Sequence, residues 1–227
     1  MKGRQITGNE ETDGFINRFF EYLCEEDQQK FRKCFRSLPP GSDQIGHTLK
    51  ELILGAHLSA NGYQIKYDYT INNQTPDWCI LDDDSAIIGI VELTNFHIDK
   101  ATENEIREQS KLKKNGFYWR DANKDNIDRL HQCIDRKAQA YRSIVKTLKI
   151  PYVVALFGEW EAALDFDEIC SCLFDKETGL FREYPEMSGV LYFVDQNALR
   201  YLFYYAENPN PLKRITLPSG VFSPGVT

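Results

Sequence analysis

Two apolar segments flanking an acidic turn constrain this chain most. Residues 77–81 (DWCIL) and 86–94 (AIIGIVELT) read as short strands, with Asp82, Asp83, Asp84 and Ser85 between them. A turn centred on Asp84 and Ser85 leaves Asp77 and Glu92 equally far from it, so they face each other across the antiparallel pair. Directly opposed residues have Cβ atoms roughly 5 Å apart on one face of the sheet. Two carboxylates held that close repel each other unless a cation or a proton lies between them. Hard divalent cations suit the arrangement, because they take oxygen ligands and usually keep several waters. Ile87, Ile88, Ile90 and Val91 mark the second segment as a central strand covered on both faces, where an unpaired carboxylate costs on the order of several kcal/mol.

The flanking segments extend this reading. Residues 43–61 (DQIGHTLKELILGAHLSAN) have helical periodicity, with Ser42 or Asp43 able to cap the start and Gly62 the end. Ile45, Leu49, Leu52, Ile53 and Ala56 form its core stripe, and Glu51 lies inside that run. A strand over 63–71 (YQIKYDYTI) then leads through Asn72 and Asn73 to Thr75-Pro76-Asp77. Downstream, residues 126–149 carry a second helical stripe: Ile127, Leu130, Ile134, Ala138, Tyr141, Val145 and Leu148. At about 100° per residue, Lys137 falls on the apolar side, whereas Arg136, Gln139, Arg142 and Lys146 project away. An inward lysine needs a route to water or an anionic partner.

Pro76-Asp77, Glu92-Leu93-Thr94 and the preceding helical Glu51, in this order, resemble the PD-(D/E)xK phosphodiesterase superfamily, the fold of many restriction, recombination and repair nucleases. The resemblance covers roughly residues 43–157. It implies an α/β fold with a mixed central β-sheet flanked by helices. It also implies a Mg²⁺ (or Mn²⁺) held by Asp77, Glu92 and the main-chain carbonyl of Leu93, with Glu51 as a further direct or water-mediated ligand. The family's motif lysine is Thr94 here. Some branches supply that lysine from the following helix, and Lys137 is the residue of this chain that matches. The catalytic set implied is therefore Glu51, Asp77, Glu92 and Lys137, acting on nucleic acid, foremost DNA, and a C2 dimer would suit double-strand cleavage. Thr94 and the acidic balance support an alternative: a catalytically inactive nuclease fold that binds nucleic acid or a protein partner.

Net charge is −7, but residues 100–149 carry 13 basic and 7 acidic side chains. This block holds Lys111, Lys113, Lys114, Arg120 and Lys124, interleaved with Phe117, Tyr118 and Trp119, a composition suited to a phosphate backbone. The competing reading is a solvated helix face with pairs such as Glu103 with Arg107. His47 shares a helical face with Glu51, and His97 follows Thr94 by three residues. No HExxH, G-x-S-x-G, P-loop or dinucleotide fingerprint occurs. Six cysteines lack CxxC spacing, so reduced thiols serving mostly as core filler are expected. With no signal-like start and no apolar run approaching roughly 20 residues, a cytoplasmic protein without membrane association is expected.

One domain is expected: a helical extension over 1–41 packed outside the core, a nuclease-like core over 42–157, and a completion of the sheet over 158–227. The last part holds a helix near 165–173, strands near 190–195 and 201–206, and a Pro-rich tail with no element. Residues 151–157 (PYVVALF) read as an interior parallel strand reached through the Lys137 helix.

Overall fold

The computed structural model describes residues 6, 7, 9–39, 42–97, 124–158, 164, 166–197 and 199–225. Lys111, Lys113, Lys114 and Arg120 lie outside the described residues. Lys124 opens a helix, but its side chain is outside them too.

The fold is α/β. Three helices come first: α1 (Glu10–Phe20), α2 (Glu25–Ser37) and α3 (Asp43–Ala60). Strands β1 (Gln64–Tyr67), β2 (Trp78–Leu81) and β3 (Ile87–Phe96) follow, then α4 (Lys124–Leu148) and β4 (Tyr152–Gly158). The described chain continues with α5 (Phe166–Phe174), α6 (Leu180–Glu183), β5 (Met187–Asn197), β6 (Arg200–Glu207) and β7 (Gly220–Phe222). All seven strands form one mixed sheet in chain order. β3, β4 and β5 are parallel, and the other neighbours pair antiparallel. The parallel pairs require crossovers, which α4 and then α5 with α6 provide.

Alternation along β4 shows how the sheet is covered. Val153, Ala155 and Phe157 join a core built with α1, α2 and α3, whereas Tyr152, Val154 and Leu156 join one built with α4, α5 and α6. This corrects the expectation that the N-terminal helices pack outside the core. Ile16, Phe19, Phe20, Phe31 and Phe35 are buried against the sheet, because their helical spacing gives α1 and α2 each a narrow aromatic stripe that one sheet face can absorb. Asn9 caps α1, accepting the Thr12 amide at 3.1 Å.

Two strand expectations also change. The segment expected as a strand over 63–71 is extended only to Tyr67, since Asp68 (φ 51°), Asn72 (φ 47°) and Asn73 (φ 67°) turn the chain towards Pro76 and Asp77. The tail, read as lacking any element, contributes β7 to the sheet edge. The expectation for the cysteines narrows: all six are free, but only Cys79 and Cys172 are fully buried. Among the described residues, no helix is long and apolar enough to cross a membrane.

The β2–β3 hairpin turns at Asp82, whose carboxylate accepts the amides of Asp84 and Ala86 at 3.0 and 2.8 Å. Its tip is symmetric about Asp84, with Leu81 opposite Ile87. The register then shifts: Ile80 pairs with Gly89, so Ile88 is an extra residue on β3. Beyond it Cys79 faces Ile90 and Trp78 faces Val91, and continuing that register sets Asp77 opposite Glu92.

Candidate functional site

Glu92 enters the site because β3 is central. It is 1% exposed, and it shares the α4 face of the sheet with Ile90 and Phe96. Asp77 precedes β2, just where the strand pairing ends. The Asp77 amide donates to Glu92 Oε1 at 2.8 Å, and Asp77 Oδ2 accepts the Leu93 amide at 2.7 Å. The two carboxylates therefore lock the splayed ends of β2 and β3 together. The N–H and C=O of an extended residue project to the same side of its strand, so the Leu93 carbonyl opens towards the same gap.

Lys137 reaches this pair from α4. Its Nζ lies 2.7 Å from Glu92 Oε2 and 3.8 Å from Asp77 Oδ2. Around it, Leu130, Ile134 and Ala138 bury the helix against the sheet. Tyr152 donates its hydroxyl to the Lys137 carbonyl at 3.0 Å, and Tyr141, one turn on, donates to Thr75 O at 3.2 Å. One turn before Lys137, Cys133 Sγ contacts Thr94 Oγ1 at 2.9 Å. Thr94, at the motif-lysine position, is thus a docking point for α4 rather than a source of charge.

Glu51 approaches from the opposite face of the sheet, on α3. Tyr67 donates to its Oε2 at 2.6 Å, and His47 Nε2 lies 3.0 Å from its Oε1. Both carboxylate oxygens are therefore engaged. The main chain of Glu51 is fixed as well, because Trp78 Nε1 donates to its carbonyl at 2.9 Å. That bond depends on Gly55: a Cβ there would fall 2.0 Å from the Trp78 ring.

The electrostatics follow from setting Asp77 beside the buried Glu92, with the charge of Glu51 also felt there. Burial, and then repulsion from Glu92, raise the Asp77 pKa to about 7 despite Lys137 and the Leu93 amide. Burial works to lower the Lys137 pKa, but attraction to Glu92 and Asp77 outweighs it, and the net shift is upward. The hydrogen bond to Glu51 raises the His47 pKa against the effect of burial. A protonated His47 donates from both nitrogens, to Glu51 and to Asn95, whose amide lies 2.8 Å from Nδ1. The amide orientation that turns Oδ1 towards Nδ1 also gives a partner to an oxygen otherwise buried without one. Burial raises the Tyr67 and Tyr141 pKa values further, so both hydroxyls remain donors.

The structure thus brings Asp77, Glu92, Leu93 and Lys137 together, whereas Glu51, held by Tyr67 and His47, acts on Asp77 and Lys137 only through its charge. His57 is elsewhere, stacked 3.6 Å from the Phe203 ring, and His97 is exposed just past β3. Tyr67, Asn95, Cys133 and Tyr141 were missed in the sequence. Cys133 and Tyr141 had a signal, since they stand four residues before and after Lys137 on one helical face. Arg142 and Lys146, expected to project away from the core, both pair with the buried Glu186 carboxylate.

Among the described residues, no three His, Cys, Asp or Glu side chains converge to hold a metal ion. What converges is a pair, Asp77 and Glu92, beside a strand carbonyl. This set fits Mg²⁺, which typically takes one or two carboxylates and completes its shell with water. The ammonium bridging Asp77 and Glu92 supports the fit, because the structure already holds a positive charge there.

No protein-family model matches the chain, and no curated protein matches it. A chain of the "CdiA-CT/CdiI toxin and immunity complex from Burkholderia pseudomallei" is similar in structure, with a TM-score of 0.33 and 12% identity. The likeness covers 74% of this chain and 92% of that one. A likeness that distant transfers no residue roles.

Proposed function

We propose that this protein is a Mg²⁺- or Mn²⁺-dependent phosphodiesterase of the PD-(D/E)xK class, a nuclease acting on DNA. The observation that supports it most is the Lys137 ammonium lying between Asp77 and Glu92 at the splayed ends of two central strands. A structural ion pair does not need a buried and a partly buried carboxylate on one lysine, and removing both from water is expensive. A metal-assisted phosphodiester site does need them.

When bound, the metal would lower the pKa of a coordinated water and polarise the phosphate. Asp77, Glu92 and the Leu93 carbonyl would hold it. Lys137, whose side chain is 25% exposed, would turn from the carboxylates to the phosphate and stabilise the charge that builds there. Glu51, kept in place by Tyr67 and His47, would reach the ion through water. Tyr141 and Tyr152 would keep Lys137 in register.

Thr94 favours a second reading, in which the fold binds nucleic acid or a protein partner without cutting, because its hydroxyl is spent on Cys133. A cleavage screen separates the two. Wild type with Mg²⁺ or Mn²⁺ is expected to cut single- or double-stranded DNA and to stop in EDTA. Asp77→Asn, which keeps an acceptor for the Leu93 amide, is expected to be inactive. Absence of metal-dependent cleavage of every DNA and RNA probe would favour the silent binding module.

A further inference from the structure

The carboxyl-terminal end of α4 borders a cavity of ≈ 280 Å³, close to the lower end, about 300 Å³, of pockets that take small molecules. It is separate from the carboxylate pair: Lys146, on its wall, lies nine residues past Lys137, or about 13 Å along the helix. Val145 and Ile150, both buried, give the cavity an apolar side, and Leu212, 61% exposed, adds to it. The walls are fixed by the main chain. The Leu212 amide donates to the Pro185 carbonyl at 2.7 Å, and the Ser188 hydroxyl donates to the Lys213 carbonyl at 2.6 Å.

Lys146, Lys149, Lys213 and Glu186 also line the cavity, an excess of two positive charges in a chain of net charge −7. Glu186 is 1% exposed, and its Oε1 pairs with Arg142 and, at 3.7 Å, with Lys146. Its Oε2 is buried with no hydrogen-bond donor among the described residues. Lys149 and Lys213 are exposed, and among the described residues neither takes part in an ion pair. Two free ammonium groups beside an apolar side suit a doubly charged anion with an apolar body. A phosphomonoester carries about −1.5 to −2 at pH 7 and three strong acceptor oxygens. A buried carboxylate oxygen without a donor favours a body that brings an O–H or N–H.

We propose that this cavity binds a small organic phosphomonoester. Its phosphate meets Lys149 and Lys213, its ring-sized apolar body meets Val145, Ile150 and Leu212, and a donor on that ring serves Glu186. The site stands whether or not Asp77 and Glu92 support cleavage of nucleic acid.

The test is calorimetric titration, without metal, of 4-hydroxyphenyl phosphate, phenyl phosphate and inorganic phosphate. The wild type is expected to bind 4-hydroxyphenyl phosphate at least about tenfold more tightly than inorganic phosphate, since the ring buries apolar surface. Lys149→Gln with Lys213→Gln should weaken both ring phosphates at least about tenfold, because their charge-assisted hydrogen bonds are lost. Leu212→Ser should weaken the ring phosphates and leave inorganic phosphate unchanged. These three side chains are exposed, so both variants should keep the wild-type melting curve, which excludes misfolding. Inorganic phosphate binding as tightly as the ring phosphates would overturn the proposal, as would ring-phosphate affinity unchanged in the lysine variant. Binding lost in Lys137→Met but kept in the lysine variant would place the phosphate at the carboxylate pair and overturn it too. Phenyl phosphate binding as tightly as its hydroxylated form would overturn the part given to Glu186. Tighter binding of dTMP than of 4-hydroxyphenyl phosphate, weakened by the same variants, would identify the ring as a nucleobase, and weaker binding would keep it a simple aromatic. Mg²⁺ titration without phosphate reports on the nuclease reading separately.

Discussion

At the scale of single residues, Asp77 and Glu92 can share the gap at the end of β2 only with a cation or a proton beside them. The raised Asp77 pKa, to about 7, gives this a measurable form. Below pH 7 a metal must displace a proton from Asp77, and above it the carboxylate is already free. Mg²⁺ affinity is therefore expected to rise about tenfold between pH 6 and pH 8 and to level off above, since a pKa of 7 leaves about a tenth of the groups ionised at pH 6. Calorimetry in two buffers of different ionisation enthalpy would reveal the released proton. Lys137 supplies a second prediction. On the proposed reading, Lys137→Met removes a cation that would compete with the metal and the charge that would face the phosphate. Mg²⁺ binding should survive or tighten, while cleavage should fall by about 10²- to 10³-fold. Cleavage at the wild-type rate in this variant would end the assignment of Lys137.

At the scale of elements, α3 is aligned on the sheet by the close approach of Gly55 to Trp78. Gly55→Ala would put a methyl group into the indole. Overpacking of this kind destabilises by about 1–3 kcal/mol, or about 2–4 °C in melting temperature per kcal/mol for a chain this long. Thermal unfolding would check it, and an unchanged midpoint would mean that α3 can slide. Much of the element-level site was legible in the sequence, because its residues have periodic neighbours. Lys137 stood on an apolar stripe, and Glu92 ended an apolar run. The Asp77–Glu92 register emerged from a turn centred between Asp84 and Ser85, whereas the structure reaches it by a tip at Asp84 and an extra residue at Ile88. A bulge leaves no mark in hydrophobic patterning, so a period of two could not reveal it. Tyr67 and Asn95 were not legible for a related reason: their partners, Glu51 and His47, lie on another element, and no spacing rule connects them.

At the scale of the whole molecule, α1, α2 and the tail close one face of the sheet. Their role was hidden in the sequence because a polar helix with few aromatic residues reads alike whether it packs on a sheet or stands apart. His57 reports on that closure. It is buried between Phe203 and Phe222, and its Nε2 donates to the Pro218 carbonyl at 3.1 Å, tying α3 to the tail. Burial lowers its pKa to about 4. Between pH 6.5 and 4 the unfolded chain therefore binds a proton that the folded chain resists, and stability falls as pH drops through this window. The His57 contribution amounts to about 3 kcal/mol. Denaturant unfolding at pH 7 and pH 4.5 should show the wild type losing more stability than His57→Gln, and equal losses would refute a neutral buried imidazole.

The central claim is that Asp77 and Glu92 form a divalent-cation site shared with Lys137. Mn²⁺ binding to wild type, Asp77→Asn, Glu92→Gln and Lys137→Met, measured by calorimetry at pH 8, tests it most directly. The account predicts binding by the wild type and by Lys137→Met, and its loss in both carboxylate variants. Binding that persists unchanged in Asp77→Asn and Glu92→Gln would contradict it.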